Sequence, residues 1–128
     1  MSVELRIVTP RRVAWQGRAL EVLAPGFTGQ FGVLPDHERF LSVARPGRVT
    51  VRTEQGEEKM VVGTGFIEVG PGHVTLLTEL CEPAGTVAPE QAAQDLHEAE
   101  AELARAQQGT AAWDEIEKRA ELARARLG

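Results

Sequence analysis

The sequence predicts an N-terminal antiparallel β-sandwich over residues 1–85, followed by a C-terminal antiparallel two-helix hairpin over residues 86–128. A change in composition supports this prediction, because 11 of the 13 Gly and six of the seven Pro precede residue 86. Residues 86–128 consist mostly of Ala, Glu, Arg, Gln and Leu, which favour helices. The spacing of apolar residues changes at the same place, from alternation to steps of three and four.

Apolar and polar residues alternate along several short segments of the first module, as they do in strands with one buried face. The inward positions of three such segments are Val3, Leu5 and Ile7; Leu20, Val22 and Ala24; and Val49, Val51 and Thr53. Turn-forming pairs recur at intervals of about ten residues, which is typical of an antiparallel sandwich or barrel. These pairs are Gln16-Gly17, Pro25-Gly26, Pro46-Gly47 and Gln55-Gly56. A further hairpin is predicted across Gly70-Pro71-Gly72.

Residues spaced three and four apart form one apolar stripe on each of two predicted helices. The stripes are Ala92, Leu96, Ala99, Leu103 and Ala106 on the first helix, and Ile116, Ala120, Ala123 and Leu127 on the second. The first helix is predicted from Pro89 to Gln107, and Gly109 and Thr110 supply a stop and an N-cap for the second. Because alternate stripe residues are Ala, the hairpin buries little area, and we expect it to dock on another surface or to detach from it.

Charge and cysteine content exclude several classes of protein. The 14 Lys and Arg against 19 Asp and Glu give a net charge of −5, so we expect no nucleic-acid binding. The single cysteine, Cys81, excludes an intrachain disulfide framework and favours an intracellular compartment. No apolar run approaches the roughly 20 residues of a membrane span, so we expect contact with a membrane only through a partner.

The residues that could carry catalysis form no constellation typical of an enzyme. Ser2 and Ser42 lie in no nucleophile motif, and the three His are far apart. A carboxylate beside an imidazole, as in Asp36-His37, can form a general base, but a polar loop is the favoured interpretation. At Gly63-Thr64-Gly65 we expect a strand junction, since no Gly-Lys-Thr follows. The sequence therefore predicts no enzyme, no metal site and no cofactor site.

Three other side chains are interpreted as structural. Cys81 lies in an apolar and acidic neighbourhood without a nearby cation, so we expect a partly buried, unreactive thiol. Trp15 and Trp113 are expected to anchor the core or the helical seam.

Basic residues are concentrated in the later turns of the second predicted helix, where the helix macrodipole favours them. This basic strip consists of Lys118, Arg119, Arg124 and Arg126. A solvated charged face and a docking strip for an acidic partner surface explain it equally well. Acidic residues of the first helix could hold the strip when no partner is present. They are Glu90, Asp95, Glu98, Glu100 and Glu102.

Four blocks of the chain, in order, resemble the epsilon subunit of bacterial and chloroplast F-type ATP synthases. The blocks are Gly29-Gln30-Phe31-Gly32-Val33-Leu34-Pro35-Asp36-His37, Pro46-Gly47-Arg48-Val49, Gly63-Thr64-Gly65-Phe66-Ile67-Glu68-Val69 and Val74-Thr75-Leu76-Leu77. The resemblance implies a non-catalytic subunit of the central rotary stalk. Its sandwich would be clamped to the gamma subunit and stand on the ring of c subunits. Its hairpin would fold against the sandwich or extend along gamma and restrain ATP hydrolysis.

The resemblance also implies partners for two groups of residues. The loop that meets the c ring in this family corresponds to Gln30, Phe31, Val33, Leu34, Pro35, Asp36 and His37, with Gln30 where many relatives carry Glu. The family's region that approaches an acidic segment of a catalytic beta subunit corresponds to the basic strip.

Nucleotide binding is expected to be weak or absent. Some members of the family bind ATP through an Ile/Leu-Asp-x-x-Arg-Ala motif at the start of the first helix. The corresponding stretch here carries Ala88 and Gln91 in place of the Asp and Arg. An alternative function is a nucleotide-sensing module whose hairpin closes over a small ligand. A hydrolase that uses Asp36 and His37 is the least favoured alternative.

The resemblance thus leads us to expect a rotor subunit of a proton-translocating ATP synthase. Its partners would be gamma, the c ring and, transiently, the alpha and beta subunits. It would lie on the cytoplasmic face of a bacterial inner or plasma membrane, attached through the complex alone.

Overall fold

A β-sandwich followed by two helices forms the computed structural model, which describes residues 2–26, 29–33 and 39–128. The strands are β1 (Val3–Val8), β2 (Val13–Ala19), β3 (Glu21–Gly26), β4 (Gly29–Val33), β5 (Phe40–Ala44), β6 (Gly47–Thr53), β7 (Gly56–Val62), β8 (Gly65–Gly70), β9 (His73–Thr78) and β10 (Cys81–Pro83). The helices are α1 (Pro89–Arg105) and α2 (Ala111–Leu127). The predicted fold class is confirmed. The predicted boundary between residues 85 and 86 lies in the segment that joins β10 to α1, and it stays a prediction.

The strands form two five-stranded sheets. The first sheet has the order β2-β1-β9-β8-β5, and the second has the order β10-β7-β6-β3-β4. Among the described residues, all strand pairings are antiparallel except the one between β1 and β9, which is parallel and sets Glu4 beside His73. This pair brings together strands that are separated by seven others in the chain.

The core lies between the sheets and follows the predicted alternation except at Leu20 and Thr53, which are only half-buried and lie outside the core cluster. Val3, Leu5 and Ile7 of β1 are each at most 1% exposed. Their counterparts from the second sheet include Val49 and Val51 of β6, which are fully buried. A β-strand turns alternate residues to opposite faces, so one face of each sheet closes the core and the other remains outside.

The prediction of a turn at Gln16-Gly17 is wrong, because both residues lie within β2. A Cβ atom on Gly17 would lie 3.1 Å from Cη2 of Trp15, so the glycine makes room for the indole ring. Trp15 packs against the core, as predicted, and its Nε1 donates a hydrogen bond of 2.8 Å to Glu58. The side chain thereby connects β2 of the first sheet to β7 of the second.

The other predicted turns end or separate strands. Pro25-Gly26 ends β3, Pro46-Gly47 joins β5 to β6, and Gln55-Gly56 joins β6 to β7. Gly70-Pro71-Gly72 joins β8 to β9, which pair as the predicted hairpin. The φ angle of Gly72 is +77°, a conformation that glycine adopts without strain.

The chain crosses from the second sheet to the first through Gly63-Thr64-Gly65, which confirms the predicted strand junction. A Cβ atom on Gly65 would collide with the carbonyl oxygen of Leu77, so only glycine fits there. The junction is fastened by Thr78, a side chain that is 4% exposed. Its Oγ1 lies 3.0 Å from the carbonyl oxygen of Gly63 and 3.1 Å from that of Leu80, and it accepts a hydrogen bond from the Leu80 N–H.

The helices form the predicted hairpin, with small differences in extent. α1 ends at Arg105, two residues before the predicted end, and the hydroxyl of Thr110 caps α2 by accepting from the N–H of Trp113 at 3.2 Å. The buried residues of the two helices are Ala92, Ala99, Ala120, Ala123 and Ala125. The placement of Leu127 in the seam is wrong. It is 42% exposed because Ala125, near the end of the helix, is buried instead.

Replacing Thr78 by Val is expected to destabilise the sandwich by about 1–3 kcal/mol, because the buried carbonyl oxygen of Gly63 loses its hydroxyl donor and the N–H of Leu80 loses its acceptor. Urea unfolding followed by tryptophan fluorescence measures this change. The matched control is Thr75→Val on the same strand, where the less buried side chain predicts a change within about 0.5 kcal/mol. Equal effects of the two substitutions would contradict the role given to Thr78.

Candidate functional site: the contact between the hairpin and the sandwich

The hairpin rests on the second sheet through α2, which contacts β6 and β7. Its buried residues are Ala120, Ala123 and Ala125, each of which removes little apolar area from water. Small side chains let the helix approach the sheet closely. The strong directional contacts of this interface are therefore made by charged side chains around the alanines.

The first charged contact is made by Arg45, in the loop between β5 and β6. Its Nε atom lies 2.8 Å and 3.0 Å from the two carboxylate oxygens of Glu121, and its Nη2 atom lies 3.2 Å from Oδ1 of Asp114. The side chains of Arg45 and Glu121 are 17% and 23% exposed, so water screens the pair less than it screens a surface pair. The hydrogen bonds to Glu121 raise the pKa of Arg45 further above its ordinary value.

The second charged contact has the opposite polarity. Here the sandwich supplies the acid, Glu82 of β10, and the hairpin supplies the base, Arg126. The Nε of Arg126 donates to Oε1 of Glu82 at 2.7 Å, and the two side chains are 18% and 13% exposed. Beside this pair, Nε of Arg48 donates to the carbonyl oxygen of Ala125 at 2.7 Å. Carbonyl groups in the last turn of a helix lack partners within the helix, so this bond also caps α2.

The other three residues of the basic strip pair within the hairpin. Arg119 makes two hydrogen bonds to Glu102 of α1, of 3.1 Å and 2.6 Å. Arg124 lies 3.2 Å from Glu117 and 3.9 Å from Glu100. Lys118 lies near Asp114 and Glu115 of its own helix, at 3.5 Å and 3.3 Å.

The acids of α1 hold the strip only in part. Glu100 and Glu102 do so, whereas Asp95 and Glu98 accept hydrogen bonds from Gln91 and Gln94 of their own helix. The hydrogen bonds from Arg119 lower the pKa of Glu102. The pair therefore stabilises the hairpin at pH values above the ordinary pKa of a carboxylate, and this stabilisation is lost as the pH falls through the lowered pKa.

A cleft of about 210 Å³ lies on the hairpin between α1 and α2. It is lined by Asp95, Glu98, Arg119, Leu122, Ala123 and Arg126. Its two guanidinium groups already bind the carboxylates of Glu102 and Glu82, and its own two acids balance their charge. An anionic ligand would have to displace these pairs.

A row of apolar side chains crosses the outer face of the first sheet. Strand register places Val43 beside Phe66, Phe66 beside Leu77, Leu77 beside Val8, and Val8 beside Val13. Phe66 and Leu77 are 54% and 52% exposed. This apolar row passes over all five strands, and contiguous exposed apolar surface of this kind marks contact sites.

The residues predicted to meet the c ring are described only in part. Gln30, Phe31 and Val33 lie on β4, an edge strand of the second sheet that pairs with β3. Leu34, Pro35, Asp36 and His37 lie outside the described residues. The general-base interpretation of Asp36 and His37 therefore concerns residues outside the described part of the chain and stays a prediction.

The remaining predictions concern reactive and metal-binding groups. Cys81 is 8% exposed and its Sγ lies 3.9 Å from Sδ of Met60, so the thiol is buried. The expectation of no nearby cation is wrong, because Nη2 of Arg12 lies 3.5 Å from the carbonyl oxygen of Cys81. Burial raises the pKa of the Cys81 thiol, and this effect outweighs the lowering by Arg12. Within the described ranges, no three His, Cys, Asp or Glu side chains gather as metal ligands would. Across the same ranges, no helix has the length and apolar content needed to span a membrane.

Comparison with known proteins decides the family. Residues 2–84 match the family model described as ATP synthase, Delta/Epsilon chain, beta-sandwich domain. An ATP synthase epsilon chain of Moorella thermoacetica is 40% identical over 103 residues, which cover 80% of this chain and 77% of that one. The chain belongs to the ATP synthase epsilon-chain family. The resemblance and the assignment to a non-catalytic subunit of the complex are thereby confirmed.

Other relatives of this epsilon-family chain come from bacteria and plastids. A chloroplastic epsilon chain of Stigeoclonium helveticum is 36% identical over 84% of this chain and 79% of its own. An epsilon chain of Synechococcus sp. is 32% identical over 98% of this chain and 93% of its own, so that similarity includes the hairpin.

Solved structures share the fold of this epsilon-family chain. A chain in the Euglena gracilis mitochondrial ATP synthase, described as OSCP/F1/c-ring, superposes with a TM-score of 0.81 at 24% identity and covers 97% of this chain and 78% of that one. A chain of the Tetrahymena thermophila central stalk and c ring gives a TM-score of 0.68 at 12% identity, over 100% of this chain and 98% of that one. At these identities, the likeness concerns the fold alone.

Proposed function

We propose that this epsilon-family chain is a rotor subunit of a proton-translocating F-type ATP synthase, in which it links the gamma subunit to the c ring. One observation carries the proposal: the family match over residues 2–84 coincides with a sandwich whose outer face carries a row of exposed apolar side chains. A subunit that transmits force between two partners needs a rigid body with separate contact surfaces. The two sheets supply the rigid body, since their aliphatic core is closed on both sides.

The sandwich would contact its two partners through different surfaces. The apolar row on the first sheet suits a lasting contact with gamma, because burying it would remove several large side chains from water. The c ring would be met through Gln30, Phe31, Val33, Leu34, Pro35, Asp36 and His37. The first three lie on β4, in the other sheet, so the two partners would not compete for one surface.

The hairpin would restrain ATP hydrolysis by leaving the sandwich and placing the basic strip against an acidic segment of a beta subunit. Every residue of the strip already binds carboxylates in the docked form. On release, Arg126 would exchange the carboxylate of Glu82 for one of the partner, so the number of ion pairs made by the strip would stay similar. The docked and released forms would then differ by a few kcal/mol, and contacts with alpha and beta would decide between them.

The complex would hold the chain on the membrane as a peripheral subunit. In a bacterial host this is the cytoplasmic face of the inner or plasma membrane. Attachment would come from gamma and the c ring.

Binding of ATP by the hairpin is proposed to be weak or absent. The supporting observations are Ala88 and Gln91 at the start of α1 and the occupied guanidinium groups of the cleft. We expect calorimetric titration of the full chain with ATP to give no measurable heat at micromolar concentrations. Tight binding, or a rise in melting temperature with ATP and not with inorganic phosphate, would instead favour the nucleotide-sensing alternative.

Removing residues 86–128 from the assembled enzyme is expected to leave a subunit that still assembles and to raise ATP hydrolysis. The sandwich core contains no residue of the hairpin, so the shortened chain should fold. Hydrolysis rates of complexes rebuilt with the full and shortened chains measure the effect. Unchanged hydrolysis would remove the inhibitory part of the proposal and leave the linking part.

Phe66→Glu in the apolar row is expected to weaken co-purification of gamma by about tenfold or more, because a charge would be buried at the centre of the contact. The matched control is Leu127→Glu, which changes an exposed apolar residue outside the sandwich. Circular dichroism verifies that both variants fold. Full recovery of gamma with Phe66→Glu would show that gamma uses another face.

A further inference from the structure

We propose that the hairpin is held on the sandwich by a latch of two charged contacts with opposite polarity, and that Glu82 competes with the acidic partner surface for Arg126. The latch is defined as Arg45 with Glu121 and Asp114, together with Glu82 with Arg126. Its second part rests on the proposed function, because it concerns the same basic strip.

The spacing of the charged residues on α2 fits this latch. Asp114 and Glu121 are seven residues apart, close to two turns of helix, so both point to the same side and reach one guanidinium, that of Arg45. Arg126 lies one to two turns further on and faces Glu82. A reversed helix would bring Arg126 towards Arg45 and the acids towards Glu82. Opposite polarity at the two ends therefore fixes the direction in which α2 docks.

The latch supplies the directional contacts that hold the hairpin on the sandwich. Both pairs are largely shielded from water, and the buried residues of α2 are alanines. Partly buried pairs of this kind are screened less by salt than surface pairs. Removing one member of a pair leaves the other charge unpaired and largely shielded from water, which destabilises the contact. Each end of the latch is therefore sensitive to a single substitution.

Arg126 differs from the rest of the basic strip in what happens when the hairpin leaves. The partners of Lys118, Arg119 and Arg124 belong to α1 and α2, so those pairs move with the hairpin. The partner of Arg126 belongs to the sandwich and stays behind. Release therefore frees one guanidinium of the strip, that of Arg126. In the docked form this group pairs with Glu82, and in the released form it would pair with a carboxylate of the partner.

Hydrogen exchange of the full isolated chain tests the latch. Glu82→Arg, Arg126→Glu, Arg45→Glu and Glu121→Arg should each speed exchange in α2 about tenfold or more, which corresponds to about 1.4 kcal/mol. The exchanged pairs Glu82→Arg with Arg126→Glu, and Arg45→Glu with Glu121→Arg, should restore protection. The matched control, Arg18→Glu, reverses an exposed arginine on β2 that lies 3.8 Å from Glu4, and should leave α2 unchanged.

Peptides from the first sheet report whether the sandwich itself stays folded in each variant. If a charge-reversal variant also speeds exchange in those peptides, the neutral variants Glu82→Gln and Arg126→Gln are measured in its place. They should speed exchange in α2 by a smaller factor. Unchanged exchange in α2 in all single variants, or no recovery in the exchanged pairs, would overturn the latch.

A labelled peptide of ten glutamates tests the competition by fluorescence anisotropy. Glu82→Gln should tighten its binding several-fold, and Arg126→Gln added to Glu82→Gln should abolish the gain. Glu4→Gln is the matched control, because Glu4 is an ion-paired glutamate on the sandwich far from the hairpin. An equal gain with Glu4→Gln would show a mere change of net charge and overturn the competition. None of these measurements involves ATP hydrolysis, so failure here and failure of the proposed inhibition remain distinguishable.

Discussion

The alanine-lined contact between α2 and the second sheet is the constraint on which the behaviour of the chain depends. Ala120, Ala123 and Ala125 allow close approach but bury little area. A leucine at any of these positions would either push the helix away or fix it more firmly. With alanines at the contact, its directional bonds are made by Arg45, Glu121, Glu82 and Arg126. In the proposed latch, a carboxylate of a partner can take the place of Glu82.

The sandwich is stabilised in a different way. Its fully buried side chains are large aliphatic ones such as Leu5, Ile7, Ile67 and Leu76. Opening the sandwich would expose these side chains to water, which costs free energy in proportion to their apolar area. One chain thus joins a body held by apolar burial to an appendage held by exchangeable charge pairs. This division suits the proposed function, in which the sandwich stays attached to its partners while the hairpin moves.

Local pattern predicted most of the architecture. Alternation along β1 and β6 indicated which residues face the core, and steps of three and four indicated both helices. The turn predicted at Gly17 is wrong because a glycine can either form a turn or leave space for a neighbouring ring. Only the position of the Trp15 ring distinguishes these two roles. The parallel pairing of β1 with β9 has no local signal, since pattern within a strand does not name its neighbour.

The candidate site was predicted in part for the same reason. The basic strip was recognisable because its charges follow one helix. Arg45 and Glu82 were missed, because Arg45 and Glu121 are 76 residues apart and Glu82 and Arg126 are 44 apart. One signal was present: Arg45 is a lone charge between Ala44 and Pro46, where the mostly apolar stretch of residues 40–44 meets a turn. An arginine in that setting needs a carboxylate, but the sequence does not say which one.

The parallel pairing of β1 with β9 also orders the events of synthesis. When β1 leaves the ribosome it can pair with β2, but its other edge must wait until β9 has been translated. The first sheet is thus completed late, just before the hairpin emerges. Arg45 and Glu82 both precede α2 in the chain, so the residues that receive the hairpin leave the ribosome before the helix that docks on them.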